Sequence, residues 1–261
     1  MRDGHASATA QGVAAHRLRF DRVPAPYGDP AADERLSRDV ASGFAMGPSE
    51  PMAGYLAART SFFDRTVVAA LARDVTQVVA AGAGYDGRAW RYAKPGVRWF
   101  EVDHPDTQRD KRRRLRDLGI GTDQVTFLAA DFTVEQIGPL LAGAGLDQTR
   151  PSLMLCEGVA AYLDRPVLTD LLRGLAEAAA PGSQLAISLS VATDSPGLSV
   201  RRAEFQARVA TLGEPARVPL TADDADPLLV ATGWRAIAVP PDSTSARRAR
   251  QAGFVTAQRV R

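Results

Sequence analysis

Apolar positions fall in short runs along this chain, and their spacing changes partway. Between Ser49 and Leu71 the apolar residues Met52, Tyr55, Leu56, Phe62, Phe63, Val67 and Leu71 recur at helical spacing, so a helix capped by Ser49 is expected. From Gln77 onward, compact β-branched or apolar runs replace that pattern. They predict strands at 77–82, 98–103, 125–131, 152–158 and 184–191, of the kind that lie buried in a parallel sheet. Helices are predicted between them at 87–94, 105–118, 134–144 and 165–180, the last one stopped by Pro181-Gly182. Strand and helix in alternation imply right-handed crossovers, with helices on both faces of the sheet.

The rhythm then breaks. A segment at 192–220 is followed by a helix near 222–232 and two apolar runs, Trp234 to Val239 and Gly253 to Val260. Joined by the Arg-rich stretch 240–252, these runs suggest a closing antiparallel hairpin. Residues 1–32, rich in Ala, Gly, Pro and charge, read as a flexible arm. Residues 33–261 read as a single domain, with 33–73 as a helical cap.

Composition narrows the class. A chain of 261 residues, 45% hydrophobic and 24% charged, can bury a sizeable core. No apolar run approaches the roughly 20 residues of a membrane span, and Met1 to Gln11 lacks the apolar centre of a signal peptide, so a cytoplasmic enzyme without membrane contact is expected. A net charge of +2 gives no case for nucleic acid. The densest basic run, Lys111-Arg112-Arg113-Arg114, reads as a solvated helix face. One cysteine, Cys156, forms no internal disulfide, and with three scattered histidines it makes no metal constellation. Cys156 reads as a small buried side chain rather than a nucleophile.

The candidate chemistry begins where Gln77-Val78-Val79-Ala80-Ala81 runs into Gly82-Ala83-Gly84-Tyr85-Asp86-Gly87-Arg88. Glycine at the end of a first strand lets a ligand approach the backbone where a Cβ would collide. Asp86 is placed to cap the next helix. The second strand ends on Asp103, where a carboxylate can accept both ribose hydroxyls of an adenosine-containing cofactor. Dinucleotides and S-adenosylmethionine both meet that description, and Gly82-x-Gly84-x-x-Gly87 formally satisfies the dinucleotide fingerprint.

The later strands discriminate. Asp131-Phe132 ends the third, offering an acceptor for an adenine amino group and an apolar wall for the ring. Its alternative is an N-cap of the following helix. Glu157 leaves the carboxyl end of the fourth strand, facing the crevice where ligands bind in such sheets, and can meet an ammonium or orient a substrate. Tyr162 is a pocket candidate beyond it. Arg59, inside the helical cap, offers two parallel donors to a carboxylate.

Together these residues resemble the leucine carboxyl methyltransferase family, in its bacterial S-adenosylmethionine-dependent branch. The marks are Arg59-Thr60-x-x-x-Asp64, Gly82-Ala83-Gly84-Tyr85-Asp86-Gly87-Arg88, Glu101-Val102-Asp103-x-Pro105 with Lys111 downstream, Ala130-Asp131-Phe132, and Glu157-Gly158-x-x-x-Tyr162-Leu163. The resemblance implies an α/β, Rossmann-like class I methyltransferase fold: a mostly parallel seven-stranded sheet, an antiparallel C-terminal strand and an N-terminal helical cap. It implies S-adenosyl-L-methionine as donor. Arg59 would then hold the donor's carboxylate, Gly82, Ala83 and Gly84 its methionine arm, Asp103 the ribose, Asp131 and Phe132 the adenine, and Glu157 its amino end. Family members methylate carboxylates at a protein C-terminus or on small polyketide-type metabolites. Phe132 stands where many relatives have leucine, and the 192–220 segment, expected to border the acceptor pocket, is short for the family.

The expected reaction is O-methylation of a carboxylate, or a hydroxyl, on a small metabolite by in-line displacement. A carboxylate acceptor is ionised at neutral pH and needs no general base, so Glu157 and Tyr162 are expected to position rather than to move protons. A hydroxyl acceptor would need a base, for which Glu157, Tyr162 and His104 are the available groups. An NAD(P)-linked oxidoreductase and a non-catalytic cofactor-binding protein are the alternatives. Oligomeric state is left open.

Overall fold

The computed structural model describes residues 5–43, 50–189, 206–207, 209–210, 220–238 and 244–260. By internal packing the chain divides into two compact units, Met1–Asp131 and Phe132–Arg261. With the strands numbered β1 (Gln77–Ala81), β2 (Arg98–Asp103), β3 (Val125–Ala129), β4 (Leu153–Cys156), β5 (Gln184–Ser188), β6 (Trp234–Ala236) and β7 (Phe254–Arg259), the order in the sheet is β3-β2-β1-β4-β5-β7-β6.

In the first unit β1 (Gln77–Ala81), β2 (Arg98–Asp103) and β3 (Val125–Ala129) pair in parallel, with Ala81 opposite Val102 and Asp103 opposite Ala129. All five residues of β1 are buried, which is why its sequence is an apolar run without alternation. Three helices precede it: α1 (Ala8–Arg17), α2 (Pro30–Ser42) and α3 (Glu50–Ala72). The Asp29 side chain caps α2 by accepting from the Ala31 N–H at 3.0 Å, and Pro30 opens its first turn. A short α4 (Arg88–Arg91) follows β1, and α5 (Pro105–Asp117) follows β2.

In the second unit β4 (Leu153–Cys156) and β5 (Gln184–Ser188) are parallel, while β7 (Phe254–Arg259) runs antiparallel to both β5 and β6 (Trp234–Ala236). Helix α6 (Ile137–Gly143) approaches α7 (Arg165–Ala178) at paired glycines: a Cβ on Gly138 would stand 3.2 Å from the Gly174 carbonyl oxygen. Trp234 donates its indole N–H to the Leu172 carbonyl at 2.9 Å, fixing β6 to α7. Helices α8 (Ala222–Ala231) and α9 (Thr244–Gln251) complete the unit.

The mostly parallel sheet, its antiparallel C-terminal strand and the N-terminal helices make this an α/β, Rossmann-like class I methyltransferase fold, as expected. Several local expectations need correction. Residues 8–17, read as part of a flexible arm, form α1, with His16 and Arg17 buried. The helix expected from 134 starts at Ile137, because Thr133 to Gln136 are exposed and give the backbone no apolar stripe to bury. The stretch joining β6 and β7 contains α9 rather than a plain hairpin loop. Ser49, residues 190–191 and Val239 lie outside the described residues, as does 192–220 apart from 206, 207, 209, 210 and 220. Among the described residues no helix is long and apolar enough to cross a membrane.

Candidate active site

The glycine turn and the tip of β2 are built as one piece. Gly82 and Ala83 donate their N–H groups to the Val102 carbonyl at 2.8 and 3.2 Å, and Gly84 donates to Asp103 Oδ2 at 2.5 Å. The other carboxylate oxygen, Oδ1, accepts the His104 N–H at 2.7 Å. Gly82 and Gly84 hold φ of +69° and +50°, left-handed conformations that explain both glycines. Each Asp103 oxygen keeps a further lone pair for a ligand hydroxyl. Burial raises the Asp103 carboxyl above its ordinary value, against the pull of the two N–H donors.

Gly87 has a different cause. Its φ is an ordinary −102°, but a Cβ there would lie 1.9 Å from Asp33 Oδ1 of α2. The third glycine of the apparent dinucleotide fingerprint therefore makes room for the N-terminal helices. It needs no pyrophosphate to account for it.

A buried chain of ion pairs ties those helices to the turn. The Arg88 side chain is fully buried; it donates to Asp64 Oδ1 at 2.7 Å, Asp86 Oδ2 at 2.5 Å and the Thr60 carbonyl at 3.1 Å. Arg22 donates two parallel hydrogen bonds to Asp64, at 2.6 and 2.8 Å, and a third to Asp33 at 3.1 Å. Although burial works to raise it, Asp64 is held at about 2 by Arg88 and Arg22. Asp86 is likewise held well below the carboxylate range: Arg88, Arg17 and Lys111 outweigh burial. It also accepts the Arg88 N–H at 2.9 Å, although Gly87 rather than Asp86 holds the N-cap position of α4. Thr60, bonded to Arg88, adjoins Arg59, which is buried with its guanidinium 5.8 Å from the Tyr55 ring centre. Asp64 and Arg88, members of separate sequence motifs, are thus direct partners.

Lys111 departs from expectation most. Read as part of a solvated face, its side chain is only 1% exposed, and its ammonium donates to Glu101 Oε2 at 2.6 Å and to the Asp86 carbonyl at 2.7 Å. Arg109 and Arg113, by contrast, are exposed on the same helix. The available signal was an acid, Glu101, set in an otherwise apolar strand, with one of only two lysines in the chain downstream.

Asp131 follows β3 and is half-buried; the Ala130 N–H before it donates to the Asp103 carbonyl at 2.9 Å, which sets it beside the β2 tip. Its alternative as a helix cap is not realised, since Gln136 occupies the N-cap position of α6. In the second unit Phe132 is half-buried, and Glu157 directly follows β4. Gly158, at φ +72°, turns the chain there and donates to Ser188 Oγ at 2.7 Å. Tyr162 ends a short 3₁₀ turn, Ala160–Tyr162. Cys156 is buried, and burial pushes its thiol up to about 12, which keeps it protonated.

Comparison with known proteins gives this geometry a context. The leucine carboxyl methyltransferase family matches residues 15–176. A Parafrankia protein is 36% identical over 168 residues, 64% of this chain and 52% of its own. A Streptomyces coelicolor protein is 34% identical over 199 residues, 70% of this chain and 68% of its own. Both are provisionally named as S-adenosyl-L-methionine-dependent methyltransferases. The chain spans about half to two thirds of the length of the curated relatives it matches. Among solved structures, a protein from Thermobifida fusca YX provisionally named a methyltransferase superposes with a TM-score of 0.62 at 17% identity, over 96% of this chain and 94% of its own. The magnesium protoporphyrin IX methyltransferase of Synechocystis PCC 6803 gives 0.54 at 16% identity, over 88% of this chain and 95% of its own. At such identities the structures support the fold alone. With its family match covering more than half of its length, the chain belongs to the leucine carboxyl methyltransferase family.

Proposed function

We propose that this protein is an S-adenosyl-L-methionine-dependent O-methyltransferase acting on a carboxylate, or a hydroxyl, of a small metabolite. The observation that carries the reading is the fused glycine turn and β2 tip. There Asp103 is oriented by Gly84 and His104 with lone pairs left for two ribose hydroxyls. In the first unit the residues suit that donor: a glycine cradle for its methionine arm, Arg59 for its carboxylate, and Asp131 for adenine; Phe132 and Glu157, in the second unit, are its expected contacts from the sequence. Family membership supports the same assignment over the nicotinamide alternative, whose third fingerprint glycine is accounted for by Asp33.

Bound there, the donor would supply a methyl group already activated by the sulfonium. The chain's own work is then to orient and to exclude water. Asp103 and the glycine turn would fix the donor, and Glu157 and Tyr162 of the second unit are the residues proposed to position the acceptor oxygen. An ionised carboxylate needs no proton removed. Titration calorimetry with S-adenosyl-L-methionine and with NAD tests the donor: heat with the first and none with the second is expected, and the reverse would sink the reading. Methyl transfer from labelled donor to members of a carboxylate and phenol panel tests the acceptor class. Donor binding without turnover on any member would favour a non-catalytic role.

A further inference from the structure

Lys111 lies outside the atoms expected to touch the donor, yet it reaches both halves of the cradle. Its ammonium donates to the Asp86 carbonyl, in the glycine turn, and to the Glu101 carboxylate, on β2. Glu101 stands two residues before Asp103, so both carboxylates project to the same face of the strand. The Trp90 ring of α4 lies 5.4 Å from the ammonium and closes the site from a third direction. Gln108, one turn before Lys111 on α5, donates to the Glu101 carbonyl at 3.2 Å and holds the same strand residue by its backbone. With side chains 1% and 3% exposed, the pair has no competing water to loosen it.

From this geometry we infer that Lys111 and Glu101 are positioning residues for the donor: their ion pair sets the spacing between the glycine turn and the Asp103 carboxylate that receives the ribose. The inference rests on the donor-site reading above and deepens it. Lys111 acts as a strut. It holds the turn by a carbonyl and the strand by a carboxylate, and the short Gly84 to Asp103 hydrogen bond lies across the gap it spans. The strut has its full Coulombic strength only while Glu101 is ionised.

Burial pushes the Glu101 carboxyl up to about 7, against the pull of Lys111. Asp86 and Asp103 add to the rise, and they are the other ionised groups facing it. Asp86 is itself covered by Arg88 and by Arg17 of α1 at 3.7 Å, while His104 follows Asp103. Above pH 7 the pair is ionised and the cradle is held. As pH falls through about 7, Glu101 takes up a proton and Lys111 loses its counter-charge. Donor affinity should then weaken.

Titration calorimetry with S-adenosyl-L-methionine and S-adenosylhomocysteine, between about pH 6 and pH 8.5, reads this in the wild type, Glu101→Gln, Lys111→Met and Asp103→Asn. The wild-type Kd should rise as pH falls. In Glu101→Gln it should be about tenfold weaker at the alkaline end and nearly flat with pH, a shift of about 1.4 kcal/mol at that end. The donor's own amino group titrates identically in both proteins and cancels in the comparison. Glu101→Gln is nearly isosteric, so it decides the matter if Lys111→Met fails to fold. An Asp103→Asn protein that binds normally would overturn the donor-site reading, and the strut with it. An impaired Asp103→Asn beside a Glu101→Gln that keeps the wild-type affinity and pH step would overturn the strut alone.

Discussion

At the scale of single residues, the site depends on a few side chains whose orientation is set by backbone donors. Asp103 accepts one N–H on each oxygen, so its plane is fixed before any ligand arrives. Replacing it by alanine should remove acceptors for both ribose hydroxyls; a hydrogen bond to a charged group contributes about 1.5–3 kcal/mol, so donor affinity should fall at least about tenfold in calorimetry. Gly84 carries a different risk. A Cβ there would sit 3.0 Å from the Ala10 methyl on a backbone at φ +50°. Gly84→Ala should cost about 1–2 kcal/mol of stability, read as a lowered urea midpoint with an unchanged m-value. Both glycines of the turn are legible in the sequence because their need is local. Gly87 is not, since Asp33, the residue that forbids its side chain, lies far from it along the chain.

At the scale of elements, the unexpected feature is how the N-terminal helices are held. Their connection to the turn includes a buried ionic network through Arg22, Asp64, Arg88 and Asp86, beside fully buried apolar residues such as Phe63, Val67 and Leu71. Removing one partner of such a network strands the others without compensation. Asp64→Ala should therefore cost about 3–5 kcal/mol of unfolding free energy, while Arg38→Ala, which removes only the exposed partner of Glu34, should change it by about 1 kcal/mol or less, both read by denaturant unfolding. The strands announce themselves because burial on both faces demands apolar runs, as β1 and β4 show. Helix α1 does not. Of its three buried residues Ala14 is small, and His16 and Arg17 are polar types whose partners, Ala53 and Asp86, lie far along the chain. Lys111 was obscured for the same reason: charge in a helix reads as solvent-facing unless the acid it meets can be placed.

At the scale of the whole molecule, two buried carboxylates push the pH dependence of stability in opposite directions. Asp64, held at about 2 against an ordinary 3.8, contributes stability that is present above 3.8 and lost as pH falls toward 2. Glu101, raised from 4.5 to about 7, contributes stability that is complete below 4.5 and lost as pH rises through about 7. Unfolding free energy measured across that range should decline toward neutrality in the wild type, and Glu101→Gln should lose this share of the decline. A slope unchanged by the substitution would show that Glu101 does not titrate in the window. Folding and donor binding would then draw on Glu101 with opposite sign, the first favouring the protonated acid and the second the anion.

The docking of α1 has a consequence in time. Its first contact, the Ser7 N–H to Thr107 Oγ1 at 3.0 Å, joins residues 100 apart in sequence, and its Arg17 meets Asp86. During synthesis at about 5–20 residues per second, Ser7 is made about 5–20 s before Thr107. An isolated helix of 10 residues is too short to persist in water by itself. Helix α1 therefore cannot dock until residues about 100 positions further along the chain exist to receive it.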